Sequence, residues 1–207
     1  MNVKLSNSGK IKLTSSIDIY GVMERIFKRE SKTDRKKEHF WVISLDTVCR
    51  ILNIELVSLG TVNSTLVEPM EVYSIPLQKK AVRIILVHNH PSGELKASEA
   101  DKDLTNRLIQ CGHILKTPVS DHIIINESSY FSFYDNGLMD ELIDNTRYVP
   151  AYILAERLKA DIEKKMEEKL KKEIAKEMAK SLKEKGVDID IIVSATGLTK
   201  SLIARLK

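Results

Sequence analysis

Cysteine is nearly missing from this chain. Cys49 and Cys111 are the only two. They stand too far apart for a thiolate metal site and are too few for a disulfide framework, so they read as free thiols of a reducing cytosol. No segment approaches the roughly 20 consecutive apolar residues that a bilayer span requires. The opening stretch, MNVKLSNSGKIKL, has no apolar core of the kind a signal peptide carries. The expectation is a cytoplasmic protein with no membrane partner. A strong excess of one charge is missing too. Thirty-three Lys and Arg face 29 Asp and Glu, a formal net charge of +4 in 207 residues. That balance does not by itself argue for nucleic acid.

What is present is 43% hydrophobic and 30% charged residues, the composition of a globular chain with a charge-rich part. The sequence divides into an N-terminal arm (1–13), a mixed domain (14–148), a long charged helix or linker (149–185) and a helix-turn-helix-like tail (186–207). From Asp18 onward Ile19, Val22, Met23, Ile26 and Phe27 share one helical face, with Ser16 or Asp18 as cap. The charged run 28–37 reads as a solvated helix end and loop. Strands are expected at 39–45 and 49–59, paired as a hairpin. The polar residues 61–64 end the second. Glu68-Pro69 opens a helix that Pro76 should kink or interrupt. Further strands are expected at 81–87, 119–126 and 130–134, and helices at 98–111, ended by Gly112, and at 137–143. The reading is an α/β fold, a sheet with helices packed on it.

The residues that carry chemistry lie between 84 and 104. An apolar strand runs into His88-Asn89-His90. Side chains alternate along a strand, so the two imidazoles point the same way. A Pro91-Ser92-Gly93 turn follows, in which Gly93 supplies backbone freedom and Asn89 and Ser92 shape the bend. Ser98-x-x-Asp101 then opens a helix. His, His and Asp are three ligands, one short of a tetrahedral zinc site. That open position marks a catalytic metal rather than a structural one. Each part also has a plainer reading: a surface His-x-His, and a capping box at a helix start. Neighbouring Asp121 and His122 face opposite sides of a strand, so at most one reaches the site. His39 and His113 read as structural or exposed.

The whole string His-x-His-Pro-(six residues)-Ser-x-x-Asp resembles the JAMM motif of the MPN/JAB metalloprotease superfamily. Its HNHPSG form, with DHIII at 121–125, resembles the RadC family over about residues 13–136. The resemblance implies a cytidine-deaminase-like JAB/MPN domain, in which a mixed central sheet is flanked by helices. It implies one Zn²⁺ per chain on His88, His90 and Asp101. It also implies Glu38 as general base and Ser98 as donor to the developing oxyanion, giving hydrolysis of an amide in a peptide or isopeptide. Family naming adds a link to DNA repair. Two features depart from the family pattern. A helix-hairpin-helix region commonly precedes the domain, and this sequence begins too late for one. Met70 stands where an arginine is usual.

After residue 150, Leu154, Leu158, Ile162, Met166, Leu170, Ile174, Met178 and Leu182 recur every fourth position. Such a stripe drifts by about 40° per step around a helix and forms no straight heptad seam. Homodimerisation through this helix stays open. The tail resembles the Gly-Leu-Thr/Ser tails of Rpn-type transposase-nuclease proteins, without their nuclease residues. Ile191, Ile192, Leu198, Leu202, Ile203 and Leu206 suit a small helical bundle. Its basic side chains are few for DNA: Lys200, Arg205 and Lys207. Two alternatives to amide hydrolysis therefore remain. One is a metal-dependent nuclease; the other is a non-catalytic DNA-associated or scaffolding protein that uses the helical tail.

Overall fold

The computed structural model describes residues 11–60, 67–145 and 147–205. The expectations for most of the N-terminal arm, for the loop 61–64 and for Leu206 and Lys207 fall outside the described residues. The described chain divides into two compact units between Tyr148 and Val149. Among the described residues no helix is long and apolar enough to cross a membrane.

The first unit begins with α1 (Ser16–Phe27), whose N-cap is Ser15 rather than Ser16 or Asp18. Asp18 reaches back instead, and its Oδ2 accepts from the amides of Thr14 and Ser15. A 3-10 turn, Asp34–Lys36, interrupts the charged run that follows. Then come β1 (Glu38–Leu45), β2 (Ile51–Gly60), α2 (Pro69–Gln78), β3 (Arg83–Asn89), α3 (Glu99–Leu115), β4 (Val119–Ile125), β5 (Tyr130–Ser132) and α4 (Leu138–Asp144).

The strands form one mixed sheet in the order β2-β1-β3-β4-β5. β1 pairs antiparallel with both β2 and β3, as a strand buried over seven of its eight residues should. β3 and β4 are parallel, joined by the crossover helix α3 that parallel pairing demands. Alternation along the strands builds two cores. Phe40, Val42, Ile84, Leu86 and Ile124 pack under α2, α3 and α4. Trp41, Ile43, Ile85, Val87 and Ile123 pack under α1.

Two expectations fail here for instructive reasons. Pro76 does not interrupt α2, which runs on to Gln78. It lies in the last turn, where little helix remains to break, and its ring is buried. Gly112 does not end α3. The helix continues to Leu115 and closes on Lys116 in the left-handed region at φ 57°. Gly112 is instead a point of close approach: a Cβ there would stand 2.5 Å from the Tyr73 hydroxyl and 2.8 Å from the Thr117 carbonyl oxygen. The Tyr73 hydroxyl in turn donates to the Leu108 carbonyl at 2.8 Å.

The second unit holds α5 (Ala151–Glu184), α6 (Ile189–Thr196) and α7 (Lys200–Arg205). Ala179, Ile192 and Ile203 form its core. Leu158, Ile162, Met166, Leu170, Ile174 and Met178 are each more than half exposed.

Alanine is the better helix former by about 1 kcal/mol, yet Gly112→Ala should destabilise the fold by about 2 kcal/mol through overpacking against a backbone carbonyl. Urea unfolding checks this; an unchanged or higher midpoint would show that the contact relaxes freely.

Candidate metal centre

Three elements deliver the site. β3 runs through the core and turns His88 toward α3, on the face shared by Ile84 and Leu86. Just past the strand, the amide of Gly93 donates to the His90 carbonyl at 2.9 Å. This tight turn, with Gly93 at φ 77°, brings His90 back beside His88. α3 starts at Ser98. The Asp101 amide donates to Ser98 Oγ at 3.1 Å, and the Ser98 amide and hydroxyl each donate to Asp101 Oδ2 at 2.7 Å. The capping box and the ligand reading of Asp101 therefore coexist: the cap aims the carboxylate at the histidines.

The donors converge. His88 Nε2 and His90 Nε2 are 2.9 Å apart. Asp101 Oδ1 lies 3.2 Å from the first and Oδ2 lies 3.3 Å from the second. Atoms held about 2.1 Å from one centre at tetrahedral angles stand about 3.4 Å apart, so the spacing suits a small cation. Glu38, at the start of β1, belongs to the same cluster, in which all four donor atoms lie within 4.8 Å of one another.

The hydrogen bonds behind the histidines fix which nitrogens face inward. His90 Nδ1 is 2.9 Å from the Glu94 carbonyl. A carbonyl only accepts, so the ring proton sits on Nδ1. For His88 the argument runs through two more residues. The Thr105 hydroxyl donates to the Asp101 carbonyl at 2.5 Å, so its oxygen accepts from His122 Nδ1 at 2.6 Å. His122 Nε2 is then an acceptor, and His88 Nδ1 donates to it at 2.8 Å. Both inward Nε2 atoms thus present lone pairs to each other and to a carboxylate, an arrangement that only positive charge between them holds together. Burial and the neighbouring His88 keep His122 neutral, its pKa well below the ordinary value. Burial works against the charge on Asp101, but the two imidazoles and the Ser98 hydroxyl outweigh it and hold the carboxyl far below its usual range. The facing Asp101 raises His90, against burial.

Asn89 does more than shape the turn. Its Oδ1 accepts from the His39 amide at 2.9 Å and its Nδ2 donates to the Lys37 carbonyl at 3.0 Å. These bonds bracket Glu38 on both sides and fix where its strand begins. His39 itself is buried and stacks on Trp41 at 4.8 Å. Met70 is exposed on α2. Asp121 and His122 do face opposite ways. Asp121 lies on the α1 side, accepting from Ser132 Oγ and from the amides of His122 and Tyr134. The sequence reading gave no role to Thr105, whose one local sign is its place four residues after Asp101 on the same helix face.

Thr105→Val keeps the shape but leaves His122 Nδ1 without its acceptor. Affinity for a divalent metal ion should fall about tenfold, read by competition with a chelating dye; unchanged affinity would show that His88 is held without the chain behind it. Burial raises the Asp121 pKa to about 6, outweighing its three hydrogen bonds. Its folded value thus exceeds an unfolded value of about 3.9. The contribution to stability is fully present below about pH 4 and lost as pH rises through 6, a swing of about 3 kcal/mol. Relative to Asp121→Asn, the wild type should lose stability between pH 4 and 7 in urea unfolding; parallel pH profiles would contradict this.

Residues 13–138 match the family described as the RadC-like JAB domain. Similar proteins include a UPF0758 protein of Pelodictyon phaeoclathratiforme, 43% identical over 106 residues that make up 51% of this chain and 48% of the other. A UPF0758 protein of Clostridioides difficile is 46% identical over 104 residues, 50% and 44% of the two chains. One of Flavobacterium johnsoniae is 37% identical over 127 residues, 61% and 53%. The chain spans about half the length of the curated relatives it matches. With a Glu-His-His-Asp cluster gathered from the start of β1, the end of β3 and the start of α3, and with the family match running through it, the chain belongs to the RadC-like JAB domain family.

Proposed function

We propose that this protein is a zinc-dependent hydrolase of amide bonds, of the JAMM type, acting on a peptide or isopeptide. One observation carries the proposal. Two imidazoles with fixed tautomers and one carboxylate aim their lone pairs at a common point, beside a second carboxylate, Glu38. Nitrogen and oxygen donors of this kind suit zinc. His88, His90 and Asp101 hold one ion per chain.

Zinc supplies, when bound, a Lewis acid for the scissile carbonyl and a water acidified toward neutrality. The protein's own groups do the rest. Glu38 accepts the proton of the attacking water on a carboxylate oxygen and returns it to the leaving nitrogen. Asn89 keeps Glu38 in place by holding the backbone on either side of it. Ser98 is exposed at the rim, and its hydroxyl donates to Asp101 Oδ2. Rotation about one bond turns that hydroxyl to the carbonyl oxygen as negative charge develops there.

The nuclease reading is less well supported, since two-metal sites need further bridging carboxylates. Among the described residues no second cluster of His, Cys, Asp and Glu donors accompanies this one. A DNA role for the tail also gains little. Lys183 caps the tail's own last helix, donating to the carbonyls of Ile203 and Ala204, and Lys200 pairs with Asp190. The tail's likeness to Rpn-type proteins rests on its sequence alone. We assign the hydrolase to residues 14–148, the charged helix to 149–185 and the small bundle to 186–207, in a cytoplasmic protein. The exposed stripe on α5 supports a homodimer through that helix.

Purified protein should contain about one zinc per chain by inductively coupled plasma mass spectrometry, lost in His88→Ala and Asp101→Ala. Glu38→Gln should keep the zinc and lower peptide hydrolysis by about 100-fold or more. Zinc retained in both ligand variants, or full activity without Glu38, would sink the proposal.

A further inference from the structure

The charged run 28–37 does not spread over an open surface. Part of it lines a cavity of 310 Å³ that opens beside the metal centre. Lys32, Arg35 and Lys36 line it together with His90, Gly93 and Asn126. His90 is shared with the donor cluster, so the cavity adjoins that cluster at this one residue. Asn126 holds the turn after β3 by donating to the Gly93 carbonyl at 2.9 Å.

The charges in this cavity are unbalanced. Arg35 is held by Glu127, Nη1 to Oε1 at 3.0 Å. Asp34, two residues from each of Lys32 and Lys36, is taken by Lys37 at 2.8 Å. Lys32 and Lys36 make no ion pair among the described residues. A concave wall with two free ammonium groups concentrates positive potential and selects an anion. The volume has room for about ten waters, the scale of one amino-acid residue rather than of a nucleic-acid strand. Glu127 also lines the cavity. It repels a phosphate dianion more than it repels a carboxylate.

We propose that this cavity is an anion subsite of the metal centre, taking a substrate carboxylate that lies one or two residues from the scissile amide. The proposal rests on the amide-hydrolase reading of that centre. The carboxylate belongs either to the peptide C-terminus or to an acidic side chain. Each residue spans about 3.5 Å, so two residues reach about 7 Å, the scale of a cavity of 310 Å³.

The test is binding without turnover. Zinc-loaded full-length Glu38→Gln protein is titrated with acetyl-Ala-Ala as free acid, with its C-terminal amide and with acetyl-Asp-Ala amide, followed by ¹H–¹⁵N NMR. The free acid, the Asp peptide or both should bind about tenfold more tightly than the neutral amide, with shifts at Gly93 and Asn126. Which of the two does so identifies the source of the carboxylate. Adding K32S and K36S should bring the affinity down to that of the amide, whereas K32R with K36R should keep the preference. Equal affinity for all three peptides, or a preference that survives K32S with K36S, overturns the subsite. So does tighter binding of a 5′-phosphorylated trinucleotide through the same lysines. Cleavage of peptide pools by the wild type is scored separately. Its failure removes the hydrolase reading, while the binding preference alone decides the subsite.

Discussion

The hydroxyl of Thr105 donates to the carbonyl of Asp101, one helical turn back in α3. That bond removes the hydroxyl proton from play and leaves an oxygen that accepts from His122. His122, neutral and fully buried, passes the constraint to His88. A single hydrogen-bond direction on a helix therefore sets the tautomer of an imidazole two strands of contact away. It also ties α3, β4 and β3 into one unit. If any member reversed, His88 would turn a proton toward His90 and Asp101, and the cluster would lose a donor lone pair. The ligand geometry is thus a property of the packed core, where His88 and Asp101 are buried, and not of a surface loop that closes around an ion.

Much of this was legible along the chain. Apolar runs bounded by turn signals locate every strand of the sheet to within about two residues. Ser98 and Asp101 announce both a helix start and a candidate ligand, and the structure shows the cap with the same carboxylate facing both histidines. The misreadings share a cause. Gly112 and Pro76 are helix breakers only as local signals; glycine also serves where another chain segment comes too close for a Cβ, and only the fold brings Tyr73 and Thr117 there. Asn89 looked like a turn residue. Its partners are 50 and 52 residues away in sequence, so nothing local could name them. Thr105 was silent for the same reason.

The strand pair β3 and β4 shows how little separates structure from chemistry here. Consecutive residues Asp121 and His122 face opposite layers. One is a buried acid whose charge is resisted by its surroundings and matters to stability with pH. The other is a neutral relay that matters to the metal centre. Moving the register of β4 by one residue would exchange them, placing a carboxylate behind His88. An anion there would accept from Nδ1 more strongly and make His88 more basic, which is a different metal site. The pairing His88↔Ile124 and Leu86↔His122 is therefore a functional constraint as well as a structural one.

The same logic extends to the charged run after α1. Its composition alone suggests solvation, because lysines on a convex surface are well hydrated and cost little. Folding changes that balance by giving part of the run a concave setting. Glu24 takes Lys28, Asp34 takes Lys37 and Glu127 takes Arg35, while Lys32 and Lys36, which line one cavity with His90, make no ion pair among the described residues. Stability gives no reason for leaving them so, since exposed ion pairs are worth up to about 1 kcal/mol each and unlike neighbours could have been supplied. An unneutralised wall next to a centre that already requires positive charge raises the potential over the whole cleft. An anion entering that field would relieve it, and this is the physical basis on which the proposed subsite would act together with the metal centre.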